Sequence, residues 1–86
     1  MTITELAKLL DQQLEMLYPD TGGQWYGGFR QGEVIEGGVL IGVCGRGETT
    51  SEALADYVSE IAGKRMAFRA MTDKRMEFVI PSDLTP

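Results

Sequence analysis

The chain has 86 residues, 43% of them hydrophobic, and a formal net charge of −5 from 8 basic and 13 acidic side chains. That size and composition predict one folded domain, 1–86, with a thin core, and the acidic balance argues against general nucleic-acid affinity, which rests on neutralising phosphates. One cysteine, Cys44, and no histidine exclude an internal disulfide, a cysteine–histidine nucleophile and the commonest zinc ligand.

In chain order, residues 2–17 read as a first helix. Thr2 and Glu5 have capping-box spacing, and Ile3, Leu6, Leu10, Leu14 and Leu17 step by three or four residues into an apolar stripe. Tyr18-Pro19 ends it, because the residue before proline avoids helical angles. Glu5, Lys8 and Asp11 interrupt any signal-peptide run, and no apolar stretch reaches the roughly 20 residues of a membrane span, so a cytoplasmic location is expected.

Residues 20–23 read as a turn and Gln24–Gln31 as a strand containing Trp25, Tyr26 and Phe29, weakened by Gly27 and Gly28. Val34 and Ile35 fit either an extension of that strand or a long loop. Glu36-Gly37-Gly38 signals a hairpin turn, and Val39–Cys44, almost wholly apolar, fits a central strand buried on both faces.

Gly45-Arg46-Gly47-Glu48 then leads into the clearest element, the helix 49–62. Thr49 and Glu52 again have capping-box spacing, Ala53, Leu54, Tyr57, Val58, Ile61 and Ala62 form one apolar face, and Gly63 stops the helix. In Lys64–Ile80 the alternation of Met66, Phe68 and Ala70 with Met76, Phe78 and Ile80 predicts a hairpin in which 68 opposes 78 and Arg69 opposes Glu77 around a loop at 72–74. Pro81 ends the ladder and Ser82–Pro86 reads as a tail. The order is thus α-β-β-α-β-β: an α+β domain whose four-stranded, mainly antiparallel sheet packs with both helices, on one face or with one helix on each.

The glycine loop before the helix lacks the lysine and hydroxyl of a P-loop and the third glycine of a dinucleotide fingerprint, so it reads as a tight strand-to-helix turn. Cys44, ending an apolar strand, reads as buried and inert. No catalytic, cofactor or metal site is expected. Three places are candidates for contact with a partner. Glu48, Glu52, Asp56 and Glu60 make an acidic loop and helix face suited to a basic or nucleic-acid-binding protein. Trp25 and Tyr26 alternate, so one is core and the other exposed enough to anchor a partner. Arg65 and Arg69 share the outer face of the last hairpin, where five of the eight basic residues fall. Arg65, Arg69 and Pro81 look like edge protection, which predicts a monomer or a closed homodimer.

Taken together, the strand, the glycine turn, Thr49-Thr50-Ser51-Glu52-Ala53-Leu54 and the amphipathic helix resemble residues of HicB-type antitoxin domains, over about 38–62 of this chain. In those domains a strand runs through a Gly/Thr-rich turn into a helix opening with Glu-Ala. The small α+β domain, its acidity and Gly63-Lys64-Arg65 entering the final hairpin are similar to phage and prophage accessory proteins. That resemblance implies a non-enzymatic binding role, the inhibition or modulation of a host protein, with anti-defence proteins such as anti-CRISPR inhibitors included. It carries over no site residues. The competing expectation is a structural protein that assembles as a dimer through strand edges.

Overall fold

The computed structural model describes residues 1–18 and 22–86. Its elements are α1 (Ile3–Leu9), β1 (Leu14–Leu17), β2 (Trp25–Phe29), β3 (Gly32–Glu36), β4 (Val39–Ile41), β5 (Gly45–Gly47), α2 (Thr50–Ile61), β6 (Arg65–Phe68) and β7 (Met76–Val79). The strands form two antiparallel sheets, ordered β1-β2-β5 and β4-β3-β6-β7, so the α+β class holds, while among the described residues the strands number seven in two sheets rather than four in one. The predicted turn at 20–23 and the helix end at Pro19 lie partly outside the described residues.

α1 begins as predicted. The Glu5 N–H donates to Thr2 Oγ1 at 3.2 Å, and the Thr2 N–H donates to Glu5 Oε1 at 2.9 Å, a complete capping box. These bonds hold the Glu5 carboxyl below the usual carboxylate range. The helix then stops at Leu9, eight residues before the predicted end. Asp11 takes φ 51, its N–H donates to the Lys8 carbonyl, and the Gln12 N–H donates to the Ala7 carbonyl. This is a Schellman stop, with aspartate in the left-handed position usually given to glycine. Leu14 and Leu17 consequently belong to β1 and leave the stripe begun by Ile3, Leu6 and Leu10.

Val34 and Ile35 belong to neither of the alternatives set out for them; they lie in a separate strand, β3, joined to β4 by Gly37 (φ 58) and Gly38 (φ 79). Two positive φ angles make the two-residue turn whose twist suits a hairpin. The predicted central strand 39–44 is overturned. β4 is a three-residue edge, the chain leaves it at Gly42, and Cys44 is exposed rather than buried.

The final hairpin keeps its predicted faces but shifts by two residues: Phe68 opposes Met76, Met66 opposes Phe78 and Ala67 opposes Glu77. Arg69 causes the shift. It leaves the strand with φ 53, so the ladder ends at Phe68 and residues 69–75 form the connection. The expected Arg69–Glu77 pair is absent. Arg69 instead reaches Asp11, its guanidinium donating to the Asp11 carbonyl at 3.2 Å and lying 3.7 Å from Oδ2. The predicted tail is docked: Leu84 is buried, and Thr85 bridges Thr2 through Ile3 N–H to Thr85 O at 2.8 Å and Thr85 N–H to Met1 O at 3.0 Å.

One apolar cluster joins these elements. Ile3 and Leu6 of α1, Leu10 at its C-cap, Phe29 of β2, Val34 of β3, Tyr57, Val58 and Ile61 of α2, and Met66 and Phe68 of β6 all bury their side chains in it, with Ile80 and Leu84 closing one end. Phe68 is fully buried and meets Phe29 edge-on, with centroids 5.3 Å apart. Phe68→Ala should therefore destabilise the chain by about 3–5 kcal/mol in denaturant unfolding. Met71→Ala, at a side chain 91% exposed, should change stability by less than about 0.5 kcal/mol. Equal midpoints for the two variants would remove Phe68 from the core.

Candidate protein-binding face

The four predicted acidic residues lie together along one element, and β5 explains how. Strand residues Gly45 and Gly47 lie directly beneath α2. A Cβ on Gly45 would collide with the Ala53 carbonyl and the Tyr57 N–H, and one on Gly47 with Glu52 Cβ and the Ala53 N–H. Glycine at both places permits the helix to lie against the backbone of the strand. The Gly-Arg-Gly sequence thus serves close packing, and it is a strand with a short turn to the helix.

Thr49 caps α2, accepting from the Glu52 N–H at 3.1 Å. The Glu52 carboxylate reaches one residue further back than a capping box requires and accepts from the Glu48 N–H at 3.2 Å. One turn along, Asp56 Oδ2 accepts from the Arg46 N–H at 2.8 Å. β2 pairs with one side of β5, and α2 with Asp56 closes the other. Two of the four carboxylates are therefore held in place by main-chain donors, and Asp56 is half-buried. Glu48 and Glu60 are exposed, and their carboxylates make no hydrogen bond or ion pair among the described residues.

Glu52, Asp56 and Glu60 recur every fourth residue, about 6 Å apart along the axis, on a flank of α2 that Asp56 ties to β5. Glu48 and Glu52 sit at the helix N-terminus, where the macrodipole favours negative charge. Asp56 and Glu60 also line an open cleft of about 420 Å³ with Gly42, Val43, Cys44 and Arg46. The Arg46 guanidinium lies over the Tyr26 ring, 5.6 Å from its centroid, and is the nearest cation to the stripe along β5.

The other candidates are dispersed. Trp25 and Tyr26 are both half-buried, on opposite faces of β2. Trp25 meets Tyr18 at 5.0 Å between centroids, and Tyr26 supports Arg46. Arg65 lies on the outer face of β6, where Glu77 bridges it at 3.4 Å and Arg75 at 3.1 Å. Arg69 is drawn to Asp11 and does not join Arg65 in a basic patch. Asp11, Gln12, Gln13, Arg30, Gln31 and Arg69 line a further polar cleft of about 470 Å³, which the sequence reading missed because its residues come from three separated turns. Among the described residues, no group of three His, Cys, Asp or Glu side chains could hold a metal ion, and no helix is long and apolar enough to cross a membrane.

On the buried face of α2, the Tyr57 hydroxyl is buried without a hydrogen-bond partner among the described residues. Burial pushes its pKa up to about 12; the nearby Phe29 main chain acts the other way but more weakly. Compared with protein-family models, curated proteins and solved structures, the chain matches none.

Two outcomes test this geometry. Asp56→Ala, which orphans the Arg46 N–H, should cost about 1–2 kcal/mol, whereas Glu60→Ala should cost less than about 0.5 kcal/mol; equal unfolding midpoints would contradict the assigned bond. For Tyr57, an unfolded tyrosine titrates near about 10, so between about pH 10 and 12 the native state keeps a proton that the unfolded state loses. Stability must fall as pH rises through that window, and Tyr57→Phe should reduce the fall by roughly 2–3 kcal/mol. Parallel stability curves for wild type and variant would show a hydroxyl in contact with water.

Proposed function

We propose that this chain is a small non-enzymatic binding protein that inhibits or modulates a host protein by direct contact, and that it presents the acidic stripe Glu48, Glu52, Asp56 and Glu60 to a basic surface. The single observation that supports this reading is the anchoring of the stripe. Glu52 and Asp56 are held by the main chain of the preceding segment, on a helix whose opposite face is core. Carboxylates held in this way lose little side-chain entropy on binding, which is the usual cost of charged contacts. A regular row of one charge on a rigid helix also offers a basic protein some of what a nucleic-acid backbone offers, so a partner that binds nucleic acid fits well. The resemblance to phage accessory proteins makes an anti-defence role the natural biological setting.

The stripe residues without internal bonds are the ones to change. With the partner identified by affinity capture from the native host, Glu48→Lys with Glu60→Lys should slow its association at least about 10-fold at low salt, with the chain still folded, its melting temperature only slightly lowered, and dissociation changed far less. The wild-type association rate should fall steeply with ionic strength. Association insensitive to both the double change and salt, with the fold verified, would remove the stripe from the contact.

A further inference from the structure

The strand edges of the two sheets are not equally protected. β7 carries Glu77 between two arginines and runs into Pro81; β5 is closed by α2; and β1 carries Glu15, paired with Arg30 at 3.2 Å. These are ordinary ways of blunting an edge. β4 has none of them. It is Val39-Leu40-Ile41, without charge or proline, and Val39 and Ile41 are 59% and 39% exposed.

The hairpin register shows which main-chain groups are open. A two-residue turn makes its flanking pair, Glu36 and Val39, the hydrogen-bonded one. Pairs then alternate, so Val34–Ile41 is hydrogen-bonded and Ile35–Leu40 is not. The Leu40 N–H and C=O consequently point away from β3, to the side where no strand pairs with β4. The segment is also symmetric in residue type. Gly38-Val39-Leu40-Ile41-Gly42 reads glycine, β-branched, leucine, β-branched, glycine in either direction.

We propose that β4 pairs antiparallel with β4 of a second copy of this chain, about a two-fold axis at Leu40. Leu40 then opposes Leu40 of the second copy, and the two open N–H and C=O groups of each satisfy one another in a hydrogen-bonded pair. Val39 opposes Ile41 of the second copy twice, setting β-branched side chains against each other on the core face of both sheets. On the other face Ile35 and Leu40 of each copy, all half-buried, form one apolar row of four. The symmetry of the segment is what selects a second copy over an unrelated strand: one register satisfies the donors and matches the side chains together. The assembly closes as a dimer, because the outer edges of the resulting eight-stranded sheet are the two β7 strands with their charges and Pro81. This inference is independent of the role proposed for α2, and places the predicted closed dimer on an edge different from that of the last hairpin.

Sedimentation equilibrium or light scattering from micromolar to millimolar chain concentration is the test. The wild type should show twice the mass of one chain over the upper part of that range. Val39→Lys should shift the midpoint of dimerisation at least about 10-fold upward, since each introduced lysine faces Ile41 of the second copy, and Ile41→Glu should do the same. The double variant Val39→Lys with Ile41→Glu should restore dimerisation, because lysine then faces glutamate at both positions. Leu40→Pro, which removes the outward N–H and the leucine from the apolar row while breaking no hydrogen bond to β3, should give a folded monomer. A wild type that stays at one chain mass throughout overturns the proposal. So does a dimer whose midpoint is unmoved by Val39→Lys in a chain that melts like the wild type.

Discussion

The packing of Phe29 between Tyr57 and Phe68 is the interaction on which the rest of the molecule depends. The two sheets do not share a strand, and each is too small to bury a face alone. Phe29 stands edge-on to Tyr57 of α2, with centroids 5.8 Å apart and rings at 74°, and edge-on to Phe68 of β6, at 5.3 Å and 86°. Edge-to-face geometry sets the positive rim of one ring against the negative face of another. A residue of the first sheet thereby fixes both the helix above it and the second sheet beside it. Gly32 makes room for this: a Cβ there would lie 2.9 Å from Phe68 Cε1 and 3.0 Å from Phe29 Cβ. The short Arg30-Gln31 link between β2 and β3 follows, with Arg30 N–H donating to Gln13 O and Arg69 N–H to Gln31 O across the junction.

What the sequence made legible was whatever local chemistry decides. α2 was readable to within a residue because its cap, apolar period and glycine stop agree. The α1 start was readable for the same reason. Its end was not, since Leu10, Leu14 and Leu17 continue a helical period across a point where Asp11 takes a left-handed angle that aspartate tolerates but does not announce. The hairpin faces were legible and the register was not. A shift of two residues leaves every side chain on its own face, so the apolar pattern is identical in both registers. The choice is made elsewhere, by Arg69 turning out of the strand toward Asp11, 58 positions away in the chain. β5 escaped notice because Gly-Arg-Gly has poor strand propensity. It is a strand because α2 needs a backbone without side chains beneath it.

The same division runs through the candidate site. The alignment of Glu52, Asp56 and Glu60 follows from helical period and was visible at once. Their inequality was not. Asp56 and Glu52 accept main-chain hydrogen bonds that exist only once β5 is in place, so a single row of similar carboxylates separates into two that hold the fold and two, Glu48 and Glu60, that do not. Cys44 was misread because its environment depends on where the chain leaves the sheet, and the apolar run Val39–Val43 conceals that departure at Gly42.

The ion pairs show why the negative charge gathers on one side. Arg30 faces Glu15, Lys64 faces Glu36, Arg65 and Arg75 share Glu77, and Arg69 faces Asp11. All are at the surface, where each pair adds at most about 1 kcal/mol to stability. Their larger effect is on the field. Five of the eight basic side chains are neutralised at short range by carboxylates outside α2, and α2 has no lysine or arginine of its own. A net charge spread evenly over so small a body would be screened within a Debye length of roughly 8–10 Å and would direct nothing. With four carboxylates outside α2 paired to cations and those of the stripe left out of ion pairs, the charge is densest along α2 and so has a direction. Arg46, held over Tyr26, is the one cation lining the cleft shared by Asp56 and Glu60, so a basic partner meets a row of carboxylates with a single arginine at its margin.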